Sequence, residues 1–171
     1  MSEPEVWLRG PLAGFPPLLQ PIAHGLMQCR HEVRDALRDL APAMVWSQPG
    51  GAASAGFHAR HAIGSLDRLL TYARGEQLSR AQHAALAAEA EPDMSDGVAG
   101  RLVSAFDAGI ERALDQVRAT GEASLLEPRG VGRARLPSTV IGLLVHAAEH
   151  TQRHTGQLVT TVRIVRATSA G

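Results

Sequence analysis

Charge of one sign is the first thing this sequence lacks: seventeen basic and seventeen acidic side chains cancel. Without a net positive field there is no electrostatic argument for nucleic acid or an anionic membrane surface as a partner. Cysteine occurs once, as Cys29, so no internal disulfide can form and nothing asks for an oxidising compartment. No apolar run approaches the roughly 18 residues that a membrane-spanning helix needs. The opening stretch MSEPEVWLRGP is acidic, then broken by proline, and has no signal-peptide character. We therefore expect a cytoplasmic protein with neither nucleic acid nor membrane as partner. Aromatic residues make up only 4% of the chain, while alanine and leucine dominate. That balance suits helix-on-helix packing better than stacked sheets. Internal repeats, linkers and low-complexity segments are missing too, and 171 residues suffice for one domain with one core.

What the chain does have is histidine, eight in all. His146, His150 and His154 recur at intervals of four. On an α-helix such residues lie one turn apart on nearly the same face, so two imidazoles can reach one metal ion. Ile141, Leu144, Val145, Leu158, Val162 and Val165 flank the run at helical spacing. This predicts that the histidines lie on the buried side of a long helix. The pairs 146/150 and 150/154 satisfy the spacing equally well, but each step of four rotates about 40° around the axis, so all three should not share one ion.

Residues 1–17 hold Pro4, Pro11, Pro16 and Pro17 and are expected to form an extended lead-in. A single helical domain is expected over 18–167. The stripe Leu19, Ile22, Leu26, Cys29, Val33, Leu37, Leu40 predicts a first helix, stopped by Pro42, with Cys29 a small buried hydrophobe. A proline- and glycine-bearing loop over 42–54 leads to a second helix from about Ser54 to near Gly75. Ser79 and Gln82 resemble a capping box that opens a short, alanine-rich helical piece reaching about Glu91; its weak apolar stripe makes it peripheral. The third main helix starts near Val98 and ends near Gly121. Residues 121–137, rich in glycine and arginine, read as an ordinary surface loop without a phosphate-binding pattern. The last helix opens at Pro137 or Ser138 and runs to about Arg166. Four amphipathic helices make a helical bundle.

Several of these residues together resemble a known family. Trp46, Pro49, the run Ala53-Ser54-Ala55-Gly56-Phe57-His58-Ala59-Arg60-His61, and then Leu66-Asp67-Arg68-Leu69-Leu70 resemble the second-helix signature of the DinB/YfiT-like superfamily. The stretch His150-Thr151-Gln152-Arg153-His154-Thr155-Gly156-Gln157 resembles its last-helix signature, two histidines four apart with Gly-Gln soon after. The likeness extends from about residue 18 to 166, with the elements in the family's order. It implies an all-α fold, a four-helix bundle of the DinB/YfiT-like type, often a homodimer. It also implies one divalent metal ion held by three histidines, one from the second helix and two from the last. By position these are His61, His150 and His154. Zinc or nickel is the first expectation for the ion, with iron or cobalt next. His146 then belongs to the core or stands beside the ligands, and His58 stands on the substrate side or beside the ligands, or is a solvated surface histidine. His24, His31 and His83 are expected at the surface.

The resemblance implies the site more firmly than the reaction. Some members of the superfamily are S-transferases or isomerases that use a low-molecular-weight thiol; others are metal-dependent hydrolases. A thiol and a small electrophile are the partners implied by the first activity. The alternatives are hydrolysis or a non-catalytic, metal-stabilised, stress-associated module. No catalytic group is assigned, because no acid/base carboxylate stands near the histidine motifs in sequence. His146-Ala147-Ala148-Glu149-His150 also fits the H-x-x-E-H pattern of inverted zinc peptidases, but no acidic residue follows Glu149 to complete it. Glu149 is expected to pair with Arg153, four residues on, on the solvated face.

Overall fold

The structure, a computed structural model, describes residues 3–169. It is mostly helical, with six α-helices and one two-stranded hairpin among the described residues. Four helices are long: α1 (Gln20–Leu37), α3 (Ala55–Ala73), α5 (Val98–Ala119) and α6 (Val140–Ser169). The short α2 (Pro42–Val45) and α4 (Arg80–Ala87) lie in the connections. Helix α6 packs against α1 and α3, and α5 packs against the same two, so each long helix touches two others around one core. Phe106, Leu26, Ile110, Leu144 and Leu158 are fully buried there. Each such side chain contributes about 1.5–3 kcal/mol by leaving water. No described helix is long and apolar enough to cross a membrane.

Local chemistry explains the helix ends. Ser54 caps α3 by accepting a hydrogen bond from the Phe57 amide at 3.1 Å, and Gly75, with φ at 81°, takes the left-handed turn beyond its end. Ser79 and Gln82 close a reciprocal capping box on α4, with hydrogen bonds of 2.9 and 3.1 Å. In α6 the Thr139 hydroxyl accepts from the Gly142 amide at 3.1 Å.

Four expectations need correction. The lead-in is not simply extended: Val6–Arg9 forms a 3-10 turn, and Val6 is buried with its amide donating to the Gln28 side chain. Residues 1 and 2 of that expected lead-in lie outside the described residues. Pro42 does not stop α1, which ends at Leu37; it opens α2, because a proline costs nothing at the first helical position. Residues 121–137 are not wholly loop, since β1 (Pro128–Val131) pairs antiparallel with β2 (Leu136–Thr139). The Arg129 guanidinium of that hairpin donates to the Ala73 carbonyl at 2.8 Å and so ties the hairpin to the end of α3. Finally, the short helix α4 is peripheral, with no buried side chain, but it ends at Ala87 and does not reach Glu91, and beyond its end Glu89 turns inward and is buried.

Cys29 lies in the core, where burial pushes its thiol up to about 11. It stays protonated near neutral pH and is no nucleophile.

Candidate metal centre

Helices α3 and α6 share the most extensive contact of any two long helices among the described residues. Near the histidines many of their buried side chains are small: Ala55, Ala59 and Ala62 on α3, and Ala147, Ala148, Thr151 and Thr155 on α6. Small side chains let two helix backbones approach, and imidazoles projecting from both can then meet. They do. His61 from α3, with His150 and His154 from α6, each place one ring nitrogen within 4.8 Å of the others. Their ring centroids stand 4.5 Å (61 to 154), 4.6 Å (150 to 154) and 5.2 Å (61 to 150) apart.

The nitrogens have defined neighbours. The Nδ1 of His61 is 2.7 Å from a carboxylate oxygen of Glu89, which accepts, so in the neutral ring the proton sits on Nδ1 and the lone pair on Nε2. That Nε2 lies 3.1 Å from the Nε2 of His150. Two ligands on a tetrahedral ion with bonds of about 2.0–2.1 Å are separated by about 3.3 Å, so the pair has the spacing of a shared ion. His154 meets His58 through Nδ1, also at 3.1 Å, which leaves its Nε2 free of that contact. The Nδ1 of His150 is buried without a partner. Phe57 stacks on the His61 ring at 5.3 Å and fixes the ring's plane.

Electrostatics favour neutral rings at His58, His150 and His154. His154 is pushed down to about 4, first by burial and then by the neighbouring His61, His150 and His58. Burial also lowers His150, helped by His61, and lowers His58, again helped by His61. Neutral imidazole is the form that donates to a metal. The donor set therefore fits a divalent ion that accepts nitrogen ligands, with zinc and nickel among them.

The structure brings together His61, His150 and His154, and puts His58 behind His154 as a buried residue, not a solvated one. His146 is not in the core, one of the two places expected for it. It is exposed, its Nδ1 is 3.3 Å from Glu149, and its ring centre is 5.6 Å from that of His150. Val145, expected in the core, is 51% exposed. The rotation of about 40° per four residues carries the start of the run out to solvent. His83 is exposed, whereas His24 is half-buried, with a ring nitrogen 3.1 Å from the Gly10 carbonyl.

Sequence reasoning missed Glu89, a carboxylate directly beside the histidines. It lies 28 residues from His61, past α4, with no motif around it. The one available signal is a charged residue set in the alanine-rich run before Glu91-Pro92.

Residues 4–158 match the family model of the DinB superfamily, a span that reaches into the segment before α1. No curated protein matches the chain.

Proposed function

The chain belongs to the DinB superfamily, and on that premise we propose that it is a metal-dependent protein whose ion is held by His61, His150 and His154. The observation that carries this reading is the convergence of three histidine nitrogens from two helices within 4.8 Å. The four long helices serve as the family's four-helix bundle, a single domain over 18–167. Zinc or nickel suits the three imidazoles best, with iron or cobalt next.

Three protein ligands leave coordination positions open, as a catalytic site needs and a structural one does not. Bound there by neutral ligands, the ion would keep its full double charge and lower the pKa of a thiol or water molecule beside it. The protein's own part is to bring three ring nitrogens together, to keep the His150 and His154 rings neutral by burial, and to fix the His61 plane with Phe57. We take a low-molecular-weight thiol as the nucleophile and a small electrophile as its acceptor, giving S-transfer. Cys29 supports the choice of an external thiol, because the chain's own is buried and protonated.

The test uses untagged protein. Metal content should approach one ion per chain and fall at least tenfold in His61→Ala, His150→Ala and His154→Ala. His146→Ala and His83→Ala should keep it. In the cobalt-substituted protein a small thiol should add a near-ultraviolet charge-transfer band, retained in Cys29→Ser and absent in His154→Ala. Ester or amide hydrolysis without any thiol response would make the protein a hydrolase. Neither response would leave a non-catalytic module.

A further inference from the structure

Helix α3 carries more than the histidines. Arg60, His61, Gly64 and Arg68 follow at steps of one, three and four, so they line one side of the helix. All four meet the segment that links α4 to α5. The Arg60 guanidinium donates to the Ala88 carbonyl at 3.2 Å and to the Glu91 carbonyl at 2.6 Å. It also lies over the Trp46 ring, 4.7 Å from the centroid, and the Trp46 indole donates to the Asp93 carbonyl at 2.8 Å. The backbone on both sides of Glu89 is thus fixed. Its carboxylate enters the protein, where Arg68 donates to Oε1 at 2.6 Å and His61 to Oε2 at 2.7 Å. The seat exists because residue 64 is glycine: a Cβ there would lie 2.5 Å from Oε1.

We propose that Glu89 is a positioning residue for the metal centre. It holds His61 in the Nδ1–H form and aims the Nε2 lone pair at the point shared with His150 and His154. The inference rests on the metal reading above but concerns a residue outside the ligand set. A carboxylate behind a ligating histidine fixes its tautomer and orientation, and loss of such a partner typically costs about 10–100-fold in metal affinity. His61 is the only one of the three so held among the described residues: His154 meets another histidine, and the Nδ1 of His150 has no partner.

Arg68 makes the proposal sharply testable. A guanidinium can only donate. In Glu89→Gln the amide oxygen must therefore turn to Arg68, and the amide NH2 then faces Nδ1 of His61. A donor at that place selects the opposite tautomer, with the proton on Nε2, directed into the metal position. Gly64→Ala is the second variant, because it retains both charges and displaces only the ends of two flexible side chains, those of Glu89 and Arg68.

The experiment combines long-range proton–nitrogen NMR on the metal-free protein with zinc titration against a competing chelator. Wild type should show His61 protonated at Nδ1. Glu89→Gln should show it protonated at Nε2 and bind zinc about 10–100-fold more weakly. Gly64→Ala, folded by circular dichroism, should lose about tenfold. Wild-type His61 protonated at Nε2 overturns the inference, as does wild-type zinc affinity in Glu89→Gln or in folded Gly64→Ala. If wild type itself takes up no zinc, nickel, iron or cobalt, the metal reading fails and this inference with it. If wild type binds and both variants bind equally well, only this inference fails.

Discussion

His61, Glu89 and Arg68 form a cluster of one imidazole, one carboxylate and one guanidinium; His146, Glu149 and Arg153 form another. The chemistry is the same and the surroundings are opposite. In the first, the side chains are 22%, 6% and 12% exposed; in the second, 52%, 48% and 53%. The first joins two segments of chain: helix α3, at positions about two turns apart, and a linker more than twenty residues away. The second lies within two turns of α6. Burial turns the first cluster into a device that fixes a proton on a chosen nitrogen. Exposure leaves the second a solvated ion pair, in which Arg153 holds Glu149 below its ordinary value without aiming anything. Proximity of charged groups is thus insufficient; exclusion of water gives it consequences.

The largest expected difference comes from deleting each arginine. Arg68→Ala leaves the Glu89 carboxylate buried without its guanidinium, which costs about 3 kcal/mol. In a chain of this size that lowers Tm by roughly 6–12 °C. Arg153→Ala should leave Tm unchanged in the same thermal melt, because water replaces it. Equal effects would erase the distinction.

A smaller effect appears in the pH dependence of the metal-free protein. His58, His150 and His154 are held below 6.5 in the fold, mainly by burial, so the unfolded chain takes up protons first. Their contribution is therefore complete above about pH 6.5 and lost as pH falls toward about 4, where His154 itself titrates. Denaturant unfolding between pH 7.5 and 4 should show this fall, and His146→Gln should leave it in place. A flat profile would mean that the three rings are better hydrated than their burial implies.

The smallest effect sharpens the comparison from a distance. Trp46→Phe removes the indole donor from the Asp93 carbonyl, which should cost about 1 kcal/mol and lower Tm by roughly 2–4 °C. Zinc affinity should weaken with it, because the segment bearing Glu89 is loosened. The ion pairs of α6 have no such dependence, and double mutants of Trp46→Phe with Arg153→Ala should be additive.

Much of the fold was legible because its signals are short-range. The apolar stripe of α1, the Ser54 cap, the Ser79–Gln82 box and the Glu149–Arg153 pair each depend on residues within one or two helical turns. The hairpin was missed because its strands are four residues each and carry three prolines and glycines between them, so no alternating pattern shows. The helix at Pro42 was missed because a proline marks a stop and a start alike.

The sequence by itself determined where the four long helices would lie, and therefore that His150 and His154 share one side of α6, since a turn of helix is fixed by backbone hydrogen bonds four residues apart. Only the tertiary structure decided that His61 would meet them, that His146 would turn to solvent, and that Glu89 would reach His61. Those outcomes depend on how closely α3 and α6 approach and on where the segment after α4 is clamped. Contacts between distant residues are chosen by the packing of the whole core, and no window of sequence contains that choice.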